Sequence, residues 1–213
     1  MGCALATLLL LANHPAGGGH TLLEVLSAEA REQRTAAIVH TGFVVTLAFL
    51  IACLMSVARI LGTARPAVSI GLVSFCIGSG MLMLSMILDG LVVPAIAARF
   101  VAITDPATLV PARTALMLCG VLIGVLMPLG LLFQAATMLT WSIAIVARRG
   151  LRLAMAICGI LAALLLFGAI LLAPPAMSGH VLLGAIVVLA LWYAALALLV
   201  GARAIPGPQR RSA

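Results

Sequence analysis

Lysine does not occur in this chain, and Asp and Glu together supply only five of its 213 residues. Charged residues amount to 8%, against roughly a quarter in soluble globular domains, which excludes a water-soluble fold. The twelve basic residues are all Arg, a side chain that holds its charge more stubbornly than Lys when partly buried. They lie scattered between apolar runs, so the formal net charge of +7 does not signal a nucleic-acid surface. No C-x-x-C pair links Cys3, Cys53, Cys76, Cys119 and Cys158. A disulfide framework and a zinc site both lack their spacing, and these cysteines are expected to be small, buried packing residues. Also missing are G-x-x-x-x-G-K-[ST], H-E-x-x-H and G-x-S-x-G, so nucleotide hydrolysis, zincin proteolysis and a serine elbow have no support. No catalytic residue and no metal ligand is assigned, and the reading leans away from an enzyme.

What is present is apolar. Hydrophobic residues make up 65% of the chain, and mean hydropathy is +1.32. About 20 apolar residues cross a bilayer core, and five runs meet that length, at 37–61, 67–96, 114–147, 151–173 and 180–202. The sequence therefore predicts an all-α, polytopic transmembrane helical bundle spanning residues 37–203, whose first partner is the lipid bilayer. Arg59 and Arg65 follow the first run, Arg148, Arg149 and Arg152 follow the third, and Arg203, Arg210 and Arg211 follow the fifth. By the positive-inside rule these three regions, including the C-terminus, are cytoplasmic. The opposite side holds residues 13–36, the loop 97–113 and the uncharged connection "PPAMSG".

The N-terminal "MGCALATLLLLA", residues 1–12, is apolar but too short to cross unaided. It lacks the basic n-region of a signal peptide, and Ala6 breaks the myristoylation pattern. A short first span would suit the parity of the other five, giving six in total; five spans with a dipping N-terminal segment is the competing reading. In residues 13–36, Asn13-His14-Pro15 and three glycines make a turn, and Thr21 and Glu24 form a T-x-x-E capping box opening an amphipathic helix. That helix is expected on the outer surface, bending into the first span. Residues 204–213, with two prolines and no apolar periodicity, are expected to be a disordered basic cytoplasmic tail.

Within "LSMILDGLVVPAIAARF", residues 84–100, one carboxylate stands in apolar surroundings. An Asp at the centre of a membrane helix costs about 2.5–3.5 kcal/mol on insertion scales, which makes Asp89 a functional candidate. At 100° per residue, Gly71, Ser74, Gly78, Ser85 and Asp89 fall within about 60° of one another. Leu82 is the chief interruption. Small residues let membrane helices approach closely, so this stripe marks a packed face and turns Asp89 inward. Pro94 cannot donate to the carbonyl of Gly90, which would leave an acceptor beside the carboxylate.

Four further residues complete the candidate polar site: Ser85, His40, His180 and Gln134. His180 opens the fifth run and shares a face with Gly184, though a histidine at a span's edge also serves as an interfacial anchor. His40 opens the first run, opposite the small stripe Gly42, Thr46, Cys53 and Ser56; if that stripe is packed, His40 faces outward. Arg99 and Arg113 flank the second outer loop and are expected to reach headgroups. The third run, 34 residues or about 51 Å at helical rise, should protrude, tilt or kink, with Pro128 and Gly130 as the kink. Gly120 and Gly124 form a G-x-x-x-G contact motif, and Gln134 is expected to hydrogen-bond to a neighbouring helix. No cofactor is assigned; a haem between His40 and His180 would need both imidazoles inward from facing helices.

At "VHTGF", "LDGLVVPAIAARF" and "GHVLLGAIVVLALWY" the chain resembles a group of small multi-pass membrane proteins from high-GC bacteria. The resemblance implies a six-span helical bundle in the bacterial inner membrane and brings no activity with it. The function expected is non-enzymatic binding or transport of a small molecule, proton or lipid group at an outer-side intramembrane pocket around Asp89. The alternatives are an accessory or assembly subunit, whose small-residue stripes serve partner subunits or a homo-oligomer, and a haem- or metal-binding redox protein.

Overall fold

In a computed structural model, the described residues are 21–146, 151–172 and 179–204, together with Gly2, Ala6, Leu9 and Leu10, and the regular elements they form are all helices. The turn at Asn13-His14-Pro15, the "PPAMSG" connection, Arg148 and Arg149, and the tail beyond Ala204 lie outside them.

Helix α1 (Leu22–Leu61) opens on the predicted capping box: the Thr21 hydroxyl accepts from the Glu24 amide at 3.3 Å, and the Glu24 carboxylate accepts from the Thr21 amide at 3.1 Å. It closes at Gly62, which takes a left-handed φ of 99° to return its N–H to Ala58. The expected surface helix and the first span are thus one unbroken 40-residue helix. The reason lies in the sequence: between Leu22 and Leu61 there is neither proline nor any glycine but Gly42, and nothing stops helix propagation where the charged stretch meets the apolar one.

Helix α2 (Pro66–Ile87) starts with proline in its first turn, where the missing N–H costs nothing. It widens into a π turn at Leu88–Val92 and resumes as α3 (Val93–Phe100). Helix α4 (Pro106–Val146) is continuous for 41 residues through Pro111 and Pro128, and its start is capped by Asp105, which accepts from the Thr108 amide at 2.9 Å and from its hydroxyl at 2.5 Å. Helices α5 (Leu151–Leu172) and α6 (Gly179–Ala204) complete the bundle.

Five helical stretches, counting α2 with α3 as one, are long and apolar enough to cross a membrane. Their outward residues are themselves apolar, with Ile38, Phe49, Val121, Leu165 and Leu172 among the most exposed. Helices hydrophobic on both inner and outer faces belong in a bilayer, and the protein is a membrane-embedded helical bundle. We call the end bearing Leu22, Phe100 and Pro106 the upper end.

The core lies where α2, α4, α5 and α6 meet. Phe75, Leu131, Met138, Trp141, Trp192, Tyr193 and Leu196 are buried there, with Phe75 edge-on to Tyr193 at 5.5 Å. The small stripe of α2 packs as expected, against α4. A Cβ on Gly71 would lie 2.3 Å from the Trp141 ring, and one on Gly78 would lie 2.7 Å from the carbonyl of Gly130. Lipid tails are as apolar as leucine, so close backbone approach and interhelical hydrogen bonds hold such a seam. A second, smaller cluster at the upper end joins Leu26, Ala97 and Leu109 of α1, α3 and α4.

Three expectations are corrected. Cys53, Cys76 and Cys158 lie on the outside of the bundle and only Cys119 is buried; Cys3 is outside the described residues. A thiol is a small hydrophobe and faces lipid as readily as core. Gly120 and Gly124 are exposed with open space around them, so the G-x-x-x-G motif makes no close contact among the described residues, Gly78 and Gly130 supplying the close crossing instead. The stripe Gly42, Thr46, Cys53 and Ser56 on α1 is not one packed face: Cys53 and Ser56 are exposed, Gly42 and Thr46 are partly buried, with Gly42 close to Leu10, and Val39, His40, Phe43 and Leu54 are buried instead.

Candidate functional site

The π turn puts one extra residue between consecutive backbone bonds, the amide of Val93 reaching back to Leu88. Such widened turns appear where a helix must present groups that a regular register would aim elsewhere. Here the turn contains Asp89 and Gly90 and ends two residues before Pro94, which has no N–H to continue the ladder. The irregularity is thus a widened turn, not the single missing bond expected at Gly90.

Asp89 Oδ2 lies 3.1 Å from His40 Nε2. The imidazole is 2% exposed and the carboxylate side chain 35% exposed. His40 therefore points inward, contrary to the outward orientation expected from the α1 stripe. The contact depends on Gly90, since a Cβ there would sit 2.2 Å from His40 Cβ and Cγ. The other ring nitrogen, Nδ1, lies 2.8 Å from the carbonyl of Ala36, one turn earlier on α1. A carbonyl only accepts, so Nδ1 carries a hydrogen. Nε2 then faces a carboxylate oxygen, and one proton must lie between them, since otherwise two lone pairs would oppose at 3.1 Å. The unit is an imidazolium donating to carboxylate and carbonyl, or its equivalent with the proton on Asp89.

Glu29 adds to this site. It precedes His40 by eleven residues, about 20° away around the helix, and the charges of Asp89 and His40 both act on it, as does that of Glu32. Ser85, one turn before Asp89, is fully buried and its hydroxyl has no hydrogen-bond partner.

Gln134 belongs elsewhere. Its Nε2 donates to Ser79 Oγ at 3.0 Å and its Oε1 accepts from the Tyr193 hydroxyl, joining α2, α4 and α6 in the middle of the bundle. One turn on, Thr137 donates to the carbonyl of Gly71 at 3.0 Å, and Trp141 donates to that of Val68 at 3.0 Å. His180 lies in the first turn of α6, and its side chain is outside the described residues. Four of the five candidates thus separate into an upper group of His40, Asp89 and Ser85, and a central knot around Gln134.

Glu29, the close approach of Gly90 to His40, and the partners Ser79, Thr137, Trp141 and Tyr193 were not picked out in the sequence. The spacing of 29 and 40 carried the first, and the i, i+3, i+7 spacing of 134, 137 and 141 carried the seam. For a haem, iron would have to take a His40 nitrogen already engaged by Asp89 or Ala36. Among the described residues no three His, Cys, Asp or Glu side chains are placed to hold a metal. Comparison with known protein families, curated proteins and solved structures gives no match.

Proposed function

We propose that this protein is a non-enzymatic membrane protein that binds or passes a small molecule, proton or lipid group at the upper-end site around Asp89. The observation that carries this reading is the half-exposed Asp89 carboxylate, held 3.1 Å from a buried imidazole at a π turn. An intramembrane acid that meets a partner and is still reachable marks a ligand or proton path more often than a packing device. The arginine distribution supports an inner-membrane location with the C-terminus in the cytoplasm and the Asp89 end outside.

The test compares wild type with Asp89→Asn. Native mass spectrometry of each, released from bilayer nanodiscs, would show a bound small molecule or lipid in wild type and its loss in the variant at equal expression; pH-dependent flux in proteoliposomes would be lost likewise. A variant that retains both would remove Asp89 from the site.

A second reading, an accessory subunit of a membrane complex or a homo-oligomer, is favoured by the open Gly120 and Gly124 face of α4, which a neighbouring helix could approach closely. Purification in gentle detergent separates the two: a stoichiometric partner supports the subunit reading, and a monodisperse single chain counts against it.

A further inference from the structure

The contact between α1 and the π turn leaves no room for a molecule. A Cβ on Gly90 would lie within 2.5 Å of His40 Cβ, Cγ and Nδ1, so not even a methyl group fits between the helices at that level. The imidazole is sealed, and only the carboxylate edge is open. What passes between the helices at that level without parting them is the smallest ligand available, and the hydrogen-bond pattern already requires one such ligand between Nε2 and Oδ2. Access is provided at the upper end, where Glu29 lies along the same face of α1 within electrostatic reach of both partners. In the other direction the route stops: Ser85 is a single buried hydroxyl without a partner, and beyond it the Gln134 amide is engaged at both ends. An amide held in this way does not relay protons as a hydroxyl or carboxyl can.

We propose that the His40–Asp89 pair is a proton-binding site loaded from the upper surface through Glu29. This identifies the ligand of the Asp89 site described above and rests on that reading. Loading is a relay between oxygens: Glu29 passes its proton to water at the exposed edge of Asp89, that water passes one to the Asp89 carboxylate, the proton settles between Oδ2 and Nε2, and water at the upper surface reprotonates Glu29. No bond between heavy atoms changes and no electron moves. Among the described residues, the charged and titratable groups toward this end of the packed elements are Glu24, Glu29, Arg31, Glu32 and Arg34 on α1, Arg99 on α3, and Asp105 and Arg113 at and after the start of α4, Arg99 and Arg113 being exposed; His180 stands at the start of α6.

The experiment uses the full chain in nanodiscs, in buffer alone, titrated from about pH 5 to 8, the range in which an imidazole ordinarily changes charge. An indicator dye counts protons, and 15N spectra follow the ring, the His40 signals being those missing from His40→Gln. Wild type should take up one proton that Asp89→Asn does not, with Nδ1 protonated throughout and Nε2 changing. In Asp89→Asn the side-chain amide donates to Nε2, so the contact survives, His40 stays neutral, and the comparison does not depend on a misfolded variant. Glu29→Gln should keep the stoichiometry and slow the uptake several-fold; an unchanged rate would overturn the Glu29 route. Asp89→Asn titrating like wild type, or wild type taking up no proton, overturns the proposal. If wild type takes up none yet loses a bound molecule on Asp89→Asn, the proton is wrong and the pocket stands; if that substitution changes neither, both fall.

Discussion

A glycine decides whether the buried histidine meets its acid. Gly90→Ala places a methyl group 2.2 Å from the His40 ring, and because the atoms met are Cβ and Cγ, near the backbone of α1, neither helix can yield cheaply. Overpacking of this kind costs about 1–3 kcal/mol; thermal unfolding in detergent should show the loss, and the His40 ring signals should shift with it. At the upper loop, Asp105 is held below the usual carboxylate range by the Thr108 hydroxyl first and the Thr108 amide second. Its depressed folded value means that the cap contributes stability above the ordinary carboxylate range, and that the contribution is lost as pH falls through the folded value. Asp105→Asn should flatten that acid dependence in a melting series against pH while leaving neutral stability nearly unchanged, since Asn also caps well. The importance of Asp89 was legible because a lone acid in an apolar run has few tolerable positions. The orientation of His40 was not. The α1 stripe misled because small residues do not have to face protein in lipid: Ser56 satisfies its own hydroxyl on the carbonyl of Ala52 at 3.4 Å, so exposing it costs little.

Among the elements, α4 is the one the others are arranged around. Gln134, Thr137 and Trp141 send three hydrogen bonds across to α2 from successive turns, and Gln134 also receives Tyr193 of α6. Interhelical bonds of this kind are worth about 0.6–1.7 kcal/mol each. Tyr193→Phe should therefore destabilise the bundle by about 1 kcal/mol, and Gln134→Leu by more, because it strands the hydroxyls of Ser79 and Tyr193 together. The double variant should cost less than the sum of the two, a cycle that thermal unfolding can read. That α4 exists and is long was plain from its apolar run. Its continuity through Pro128 was not, because neighbouring helices in a bundle accommodate a proline by satisfying the freed backbone groups, and a sequence does not say which neighbours are near. The seam itself was half visible: the glycine and serine spacing on α2 pointed to a close face, whereas the opposing Gly130 looked like part of a kink.

For the molecule as a whole, five apolar runs and the arginines between them were enough to predict an all-helical membrane bundle, since hydrocarbon admits few alternatives to a helix. The order in which helices touch was not, because every face of each helix is apolar and periodicity carries little contrast. The proposed topology predicts that a cysteine introduced at Ile103, in a variant lacking the five native ones, reacts with a membrane-impermeant maleimide in intact spheroplasts, while one at Thr63 reacts only after lysis; the reverse pattern would invert the protein. Helices α1 and α4, at 40 and 41 residues, each run about 60 Å, twice the thickness of a hydrocarbon core near 30 Å. Their upper ends do not fray apart but are pinned by Leu26, Ala97 and Leu109. A bundle of this size offers little to grip for particle alignment in electron cryomicroscopy, and this pinned knob provides it: an antibody fragment raised against its folded shape would stand clear of the detergent belt beside the His40–Asp89 pair.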